Sequence, residues 1–297
     1  MKTVLSNPLF KDQQALKFSI LRSGSSGNCT FIEHQNTRVL LDAGLSSRKK
    51  IVESLQEIGV EPESIDAVVC THLHGDHLGR STLSFCGTFQ TSLWIHHQNE
   101  IPFCSRYPAK FRANVDLHTF LDDSFSIGGI RFEPFEVAHD AVGVTHGFRF
   151  YSADEPDRVV GYAADLGSAC ETVVGGFRDV SIICIESNHD PELLWKNPLR
   201  TTEHKKRVTG GRGHISNVQC AEAIVASMKA SSVKPSTVIL CHLSEDHNTP
   251  ELARTTVRNI LTEHGLSPEL VVASRNERTV FFEFPVSDLW SVGEVVH

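Results

Sequence analysis

The sequence predicts an α/β protein in which several strands end in an acidic residue or a histidine. Short apolar segments typical of strands alternate with amphipathic segments typical of helices in both halves of its 297 residues. Because strand ends meet at the edges of sheets, we expect the polar side chains that follow the strands to lie close together. Five strand-like segments end in an acid or a histidine: Asp42, His72, His139, Asp165 and His242.

The composition and net charge are those of an ordinary globular protein. Apolar residues make up 40% and charged residues 22% of the sequence, which is long enough to bury a sizeable core. No linker rich in proline, glycine and serine divides it, so we expect one domain over residues 17–290, with residues 1–16 and 291–297 as tails. The net charge of −8 gives no general attraction to nucleic acid or acidic membranes, so a phosphate-rich ligand needs a local basic patch or metal ions.

The sequence shows no secretion signal, and its cysteine usage is that of a reduced protein, so we predict a cytoplasmic protein without a membrane partner. Residues 1–17 lack an apolar stretch flanked by positive charge, and no apolar run approaches the length that spans a bilayer. The eight cysteines are scattered singly, and several lie in apolar runs, such as Cys70, Cys184 and Cys241. This pattern predicts reduced core cysteines rather than a disulfide framework.

Strands are predicted wherever short runs of β-branched, aromatic or aliphatic residues are bounded by turn residues. The turn signals include Gln35-Asn36, Asp122-Asp123, Gly128-Gly129 and residues 154–157. The predicted strands cover residues 18–21, 30–32, 38–41, 65–70, 93–95, 130–137, 144–151, 158–163, 180–185, 237–241, 270–273 and 279–284.

Three helices are predicted from capping residues and apolar periodicity. The first begins after Ser46 or Ser47 and runs to about residue 58. The second begins at Ser216 or Asn217 and runs to about residue 229. The third follows Thr249, with proline at its first position.

Residues 195–213 are predicted to be irregular and locally basic. A run of charge is as readily explained by a solvated face as by a binding role, but its position directly before Gly213-His214 favours a role. The basic residues are Lys196, Arg200, Lys205, Lys206, Arg207 and Arg212.

The densest cluster of candidate ligands follows the apolar run at residues 67–70. His72, His74, Asp76 and His77 lie within six residues, and imidazole and carboxylate suit zinc, manganese or iron. His72 and His74 alternate by two, so they point the same way in an extended segment, whereas Gly75 permits a turn before the next pair. The pattern therefore gives one pair to one metal and the next pair to a neighbouring metal. A polar loop with incidental histidines is the alternative, but so dense a cluster has no obvious use in packing.

The adjacent pair His96-His97 follows another predicted strand and is interpreted differently. Neighbouring side chains on an extended segment point apart. We therefore expect one of these two rings to lie in solvent and assign the pair no function.

The motif His-x-His-x-Asp-His after an apolar strand resembles the signature of the metallo-β-lactamase superfamily. The resemblance implies a four-layered αβ/βα sandwich with a site for two divalent ions, Zn, Mn or Fe, at one edge of its two sheets. It also implies that Asp42 orients a ligand imidazole. The ligands it implies are His72, His74 and His139 for one ion, Asp76, His77 and His242 for the other, and Asp165 as a bridge between them.

Four further motifs are similar to those of the YycJ (WalJ) branch of that superfamily, and the resemblance spans residues 18–284. They lie at residues 23–28, 186–190, 213–217 and 242–250. This branch is associated with 5′→3′ exonuclease action on DNA, so the resemblance implies a DNA substrate. Asn28, Ser244 and Asn248 belong to these motifs and are predicted to contact the substrate.

The predicted chemistry is hydrolysis by a hydroxide that two neighbouring cations make available near neutral pH. Asp76 is predicted to position this hydroxide and to accept a proton. His214, outside the ligand set, is predicted to contact the scissile phosphate or to help the leaving group depart. It precedes a helix N-terminus, where backbone N–H groups favour phosphate. An ordinary helix-start histidine is the alternative for His214.

The leading functional hypothesis is a dimetal phosphodiesterase that acts on nucleic acid, most simply a 5′→3′ DNA exonuclease. One alternative is a small-molecule hydrolase of a cyclic phosphodiester, thioester or lactone, and thioester or lactone chemistry needs neither His214 nor the basic stretch. Another is a non-catalytic regulatory protein, although buried histidines and carboxylates without a metal would lower its stability. The sequence predicts no particular protein partner.

Overall fold

Two sheets of seven strands each form the centre of the computed structural model, which describes residues 15–284. The first sheet has the order β14-β1-β2-β3-β4-β5-β6 and the second the order β13-β12-β11-β10-β9-β8-β7. Residues 1–14 of the predicted N-terminal tail at 1–16, the predicted tail at 291–297, and residues 285–290 of the predicted domain lie outside the described residues.

The first sheet combines hairpins with parallel strands. Strands β1, β2 and β3 pair antiparallel, with a tight turn between β2 and β3, whereas β3 to β6 pair in parallel and are joined by helical connections. Its strands are β1 (Lys17–Arg22), β2 (Cys29–His34), β3 (Thr37–Ala43), β4 (Ala67–Val69), β5 (Ser92–His96), β6 (Leu117–Phe120) and β14 (Phe282–Glu283).

The second sheet repeats this arrangement in the other half of the chain. Strands β7 to β10 pair antiparallel, and strands β10 to β13 pair in parallel, so β10 belongs to both kinds of pairing. Its strands are β7 (Phe125–Ile127), β8 (Ile130–Val137), β9 (Thr145–Ser152), β10 (Val160–Ala163), β11 (Ile182–Glu186), β12 (Thr237–Cys241) and β13 (Glu269–Val272).

The three helices predicted from capping residues are present. Ser47 and Thr249 each accept a hydrogen bond from the backbone N–H three residues on, and Ser216 forms a reciprocal capping box with Gln219. The α-helices are α1 (Arg48–Gln56), α2 (Arg80–Phe89), α3 (Glu100–Arg106), α4 (Ala109–Arg112), α5 (Glu171–Gly176), α6 (Pro191–Lys196), α7 (Thr202–Thr209), α8 (Asn217–Ala230) and α9 (Pro250–Glu263).

Three apolar clusters hold the layers together. Side chains such as Phe18 and Phe148 fill the space between the two sheets. Ile51 of α1 packs against the outer face of the first sheet, and Ile224 of α8 and Val257 of α9 pack against the outer face of the second. This order of helix, sheet, sheet and helix confirms the predicted αβ/βα sandwich.

All eight cysteines are free, and six of them are buried, in agreement with the predicted reduced core cysteines. Within residues 15–284, no helix combines the length and the apolar character needed to cross a membrane.

The prediction of an irregular segment at residues 195–213 is wrong, because it contains the end of α6 and all of α7. Thr201 caps α7 by accepting from the backbone N–H of His204, and Val208 packs inward. Lys205 is only 8% exposed, and its ammonium donates to the carbonyl of Trp195. Because a charged residue occupies a buried position here, the apolar side of the helix is not evident from the sequence.

The expectation for His96-His97 is also wrong. The chain turns from β5 into a short 3-10 helix at His97–Asn99, so the two residues do not share an extended backbone. Their ring centroids lie 4.4 Å apart, His96 is 1% exposed and His97 is half-buried.

Candidate metal centre

The loop that follows β4 presents His72, His74, Asp76 and His77 at the edge shared by the two sheets. The carbonyl of His74 accepts from the backbone N–H groups of His77 and Leu78, which closes a turn around Gly75. The loop is also fastened to its neighbours. The backbone N–H of Asn28 donates to the carbonyl of Asp76 at 2.8 Å, and that of Ala43 donates to the carbonyl of His77 at 3.1 Å.

Gly44 allows the first sheet to approach this loop closely. A Cβ atom at Gly44 would lie 2.0 Å from the carbonyl carbon of Asp76 and 2.2 Å from the backbone nitrogen of His77. A larger residue therefore cannot occupy this position unless the loop moves.

His72, His74 and His139 form the first group of potential ligands, with one donor atom from each lying within 4.8 Å of the others. His139 Nδ1 lies 2.9 Å from the carbonyl oxygen of Gly213. Since a carbonyl only accepts, Nδ1 carries a proton and Nε2 keeps its lone pair for a cation. The pKa of His72 is well below its usual range because of burial and the nearby His77, so its ring is neutral as well.

Asp76, His77, Asp165 and His242 form the second group. Asp165 Oδ2 lies 2.7 Å from His77 Nε2, and Asp165 Oδ1 lies 2.8 Å from His242 Nδ1. Asp165 Oδ2 also lies 3.4 Å from His72 Nε2, which belongs to the first group. Asp165 thus lies between the two groups.

Asp165 is buried and charged. Burial alone would raise its pKa, but the imidazoles of His242, His77 and His139 outweigh burial and hold the pKa well below its usual range. A carboxylate in this position requires positive charge nearby, which either protonated imidazoles or metal ions provide.

Asp42 lies behind His77, where the sequence analysis predicted an orienting carboxylate. Asp42 Oδ2 is 2.7 Å from His77 Nδ1, and Asp42 Oδ1 accepts from the backbone N–H of Thr71 at 2.9 Å. Asp42 has φ +59° and His242 has φ +52°, which is a left-handed backbone that favours glycine. Two non-glycine residues are therefore held in strained conformations where the strands meet the site.

Glu186, at the end of β11, is the main feature of the site that the sequence analysis did not single out. It is fully buried, and its Oε1 lies 2.6 Å from His214 Nδ1 and 3.1 Å from His242 Nδ1. Its Oε2 accepts from the backbone N–H groups of Leu166 and Ile215. The available signal was an acid directly after an apolar strand, the pattern already noted at the other strand ends.

His214 lies beside the second group rather than apart from it. Its Nδ1 is 3.4 Å from Asp165 Oδ1 in addition to its contact with Glu186. Burial alone would lower the pKa of His214, but the carboxylates of Glu186 and Asp165 raise it to about 10. The imidazole is thus held as a proton donor whose ring borders the cleft.

The three predicted substrate contacts have different surroundings. Ser244 lines the cleft and stays a candidate. Asn28 is fully buried, where its amide bonds the backbone of Gly24 and lies 2.9 Å from His77 Nε2. Asn248 is 8% exposed and bonds the carbonyls at 187 and 188. Asn28 and Asn248 are not among the residues that line the cleft, and both amides hold loops together, so their contact with substrate stays a prediction.

A cleft of about 420 Å³ opens over both groups. His74, Asp76, Asp165, His214 and His242 line it, and Arg200, His204 and Arg207 line it too. Ion pairs fix both arginines: Arg207 Nε lies 2.5 Å from Asp140 Oδ2, and Arg200 Nε lies 2.9 Å from Asp246 Oδ2. The cleft therefore combines side chains that can bind cations with arginines that can donate hydrogen bonds to anions.

The donor atoms fit divalent metal ions. His72 Nε2 is buried and makes no hydrogen bond within residues 15–284, which leaves it free to bind a cation. Ligands on a tetrahedral zinc ion lie about 3.3 Å apart, given bonds of about 2.0–2.1 Å. His72 Nε2 and Asp165 Oδ2 are 3.4 Å apart, as are His242 Nε2 and Asp76 Oδ2.

Comparison with known families agrees with this geometry. The family model of the metallo-β-lactamase superfamily matches residues 22–211. The chain belongs to the metallo-β-lactamase superfamily. Solved structures share the fold: the metallo-β-lactamase fold protein YhfI of Bacillus subtilis gives a TM-score of 0.68 at 15% identity, covering 91% of this chain and 100% of YhfI. A diphosphatase of the PhnP family gives a TM-score of 0.60 at 17% identity, covering 92% and 99%.

Within this superfamily, the chain is similar to two bacterial exodeoxyribonucleases over most of its length. It is 34% identical over 255 residues to exodeoxyribonuclease WalJ of Streptococcus pneumoniae, covering 84% of this chain and 90% of that protein. It is 30% identical over 260 residues to exodeoxyribonuclease YycJ of Bacillus anthracis, with the same coverage. The resemblance to the YycJ (WalJ) branch is confirmed.

Replacing Gly44 by alanine should weaken metal binding while the chain still folds. The added methyl group forces the backbone at Asp76 and His77 to move, and loss of the support behind metal ligands typically lowers affinity by about 10- to 100-fold. Gly175→Ala is the matched control, since no atom lies within 4 Å of the added group. Competition with a chromophoric chelator measures the affinities, and equal affinities in the two variants would contradict the role of Gly44.

Proposed function

We propose that this protein is a dimetal-dependent nuclease that hydrolyses the phosphodiester bonds of DNA from a free end, in the 5′→3′ direction. One observation carries the proposal: both groups of metal-ligating side chains open into the same cleft as two arginines. The names of the relatives WalJ and YycJ, which are similar to this chain over 84% of its length, support DNA as the substrate.

The first ion would be held by His72, His74 and His139, the second by Asp76, His77 and His242, with Asp165 shared between them. Zinc, manganese and iron all accept such ligands. When bound, two neighbouring divalent ions neutralise charge on a phosphate and make a nearby water more acidic.

The remaining residues of the cleft have distinct tasks in this proposal. Asp76, whose carboxylate borders the cleft, orients the attacking water and accepts its proton. Arg200 and Arg207 bind the phosphates next to the scissile one, and their ion pairs with Asp246 and Asp140 hold them in place. Ser244 offers a hydroxyl to the same chain of phosphates. These cationic contacts are local, which is how a chain of net charge −8 binds a polyanion.

His214 would assist the departure of the leaving oxygen. Glu186 fixes its Nδ1 at 2.6 Å, so the ring is oriented before substrate arrives. A positioned proton donor at this step lowers the barrier without a change in the surrounding structure. The cleft would therefore hold a proton acceptor, Asp76, and a proton donor, His214, beside the same ions.

Incubation of metal-loaded protein with single-stranded DNA labelled at either end tests the function. We expect release of nucleotides from the 5′ end, hydrolysis of bis-p-nitrophenyl phosphate and no turnover of a thioester. Asp165→Ala should lose both ions and all activity, since the shared ligand is gone, whereas His72→Ala should lose mainly one ion. Exposed Asp157→Ala is the control and should keep both. Metal content is measured by mass spectrometry.

Two results would contradict this proposal separately. Thioester turnover without DNA cleavage would replace the nuclease by a small-molecule hydrolase. Two tightly held ions in Asp165→Ala would remove its bridging role.

Replacing Arg200 and Arg207 together by alanine should weaken DNA binding and leave hydrolysis of the small phosphodiester unchanged. Each phosphate contact on single-stranded DNA contributes about 0.7 to the slope of log affinity against log salt, so two lost contacts should make it shallower by about 1.4. Lys206→Ala is the control, because Lys206 is exposed on the same helix as Arg207. Equal loss on both substrates would mean that the arginines serve folding or metal binding.

His214→Gln should keep both ions and slow DNA cleavage by about 10²- to 10⁴-fold. Glutamine retains a donor for the buried Glu186, which alanine would leave unpaired. The loss should be much smaller for p-nitrophenyl esters, whose leaving group needs no proton. Exposed His264→Gln is the control. A similar loss on both substrates would assign His214 to phosphate binding, and no loss on either would make it structural.

A further inference from the structure

A second cluster of histidines lies apart from the residues that line the cleft. It joins His96 at the end of β5, Asp122 two residues after β6, and His146 in β9. One donor atom of each side chain lies within 4.8 Å of the other two. The cluster therefore draws on both sheets, close to the point where the chain passes from the first sheet to the second.

The two imidazoles of this cluster are buried without hydrogen bonds. His96 is 1% and His146 is 2% exposed, and none of their four ring nitrogens bonds another described residue. Leaving a buried polar group unpaired destabilises a fold by about 1–3 kcal/mol. Because most buried polar groups in proteins are paired, these unpaired nitrogens indicate a ligand that bonds the two Nε2 atoms turned toward Asp122.

We propose that His96, His146 and Asp122 bind a divalent transition-metal ion in addition to those of the cleft, with zinc as the natural candidate. Asp122 Oδ1 lies 3.2 Å from His96 Nε2 and 3.6 Å from His146 Nε2. These separations bracket the distance of about 3.3 Å between ligands of a tetrahedral zinc ion. Asp122 is 74% exposed, so water can enter and complete the coordination.

The protonation states of the two rings suit a metal. Burial first, and then the neighbouring ring of His96, lower the pKa of His146 to about 4. Burial and His97 lower the pKa of His96 too. Neutral imidazoles with free lone pairs bind cations without first losing a proton.

An ion in this cluster would join the two sheets and support the loop of the cleft. Its ligands come from β5 and the end of β6 on one side and from β9 on the other. The backbone N–H of His146 donates to the carbonyl of Thr71 at 3.1 Å, and Thr71 precedes His72. The ion therefore has a structural role, and its binding is measured independently of nuclease activity.

Comparison of Asp122→Ala with Asp123→Ala tests the site, since both residues are exposed and only Asp122 faces the histidines. Zinc content of the full chain is measured after dialysis against a weak chelator. Asp123→Ala should retain the native zinc content. Asp122→Ala should hold one ion fewer or bind it at least tenfold more weakly, since even the loss of groups behind the ligands lowers affinity by that much.

A second measurement separates this site from the cleft. In an Asp165→Ala background, added zinc should raise the Tm of the chain, and Asp122→Ala should abolish that rise whereas Asp123→Ala should not. Equal zinc content and equal zinc-dependent Tm in the Asp122 and Asp123 variants would overturn the proposal. That result would leave the nuclease proposal untouched, because the activity assay depends on the other ligands.

Discussion

The buried carboxylate of Asp165 is the constraint on which the rest of the site depends. Five imidazoles lie within 4.0 Å of it, from His72, His77, His139, His214 and His242. A buried negative charge is stable only when positive charge or strong donors surround it. Since Asp165 follows a strand of the second sheet and His72 and His77 follow a strand of the first, this requirement ties the edges of the two sheets together.

The supports of the site show how the fold meets that requirement. Asp42 and Glu186 are buried carboxylates beside His77 and His242, and each contacts an imidazole and accepts from at least one backbone N–H group. The left-handed backbone at Asp42 and His242 is tolerated because these contacts hold it. Buried amides such as Asn28 fasten the loops from behind.

Groups of opposite charge occupy different parts of the cleft. Acidic and imidazole groups face inward for cations, whereas the arginines that border the cleft come from α7 and the segment before it. The paired aspartates, Asp140 and Asp246, orient the arginines toward the cleft and moderate their charge. An overall acidic protein thus places two arginines at the cleft that the clustered histidines and aspartates line.

The capped helices and the clustered side chains were predictable from the sequence, because periodicity, caps and a motif within six residues are local signals. The sandwich followed only from the resemblance of that motif to a known superfamily. The sequence did not reveal helix α7, whose inward side includes the buried stem of Lys205. Tertiary structure alone decided that Asn28 and Asn248 face inward, that Glu186 holds His214, and that His96 meets His146. Those outcomes depend on contacts between segments 28 to 60 residues apart, and burial and partners at such separations are set by how sheets and loops pack.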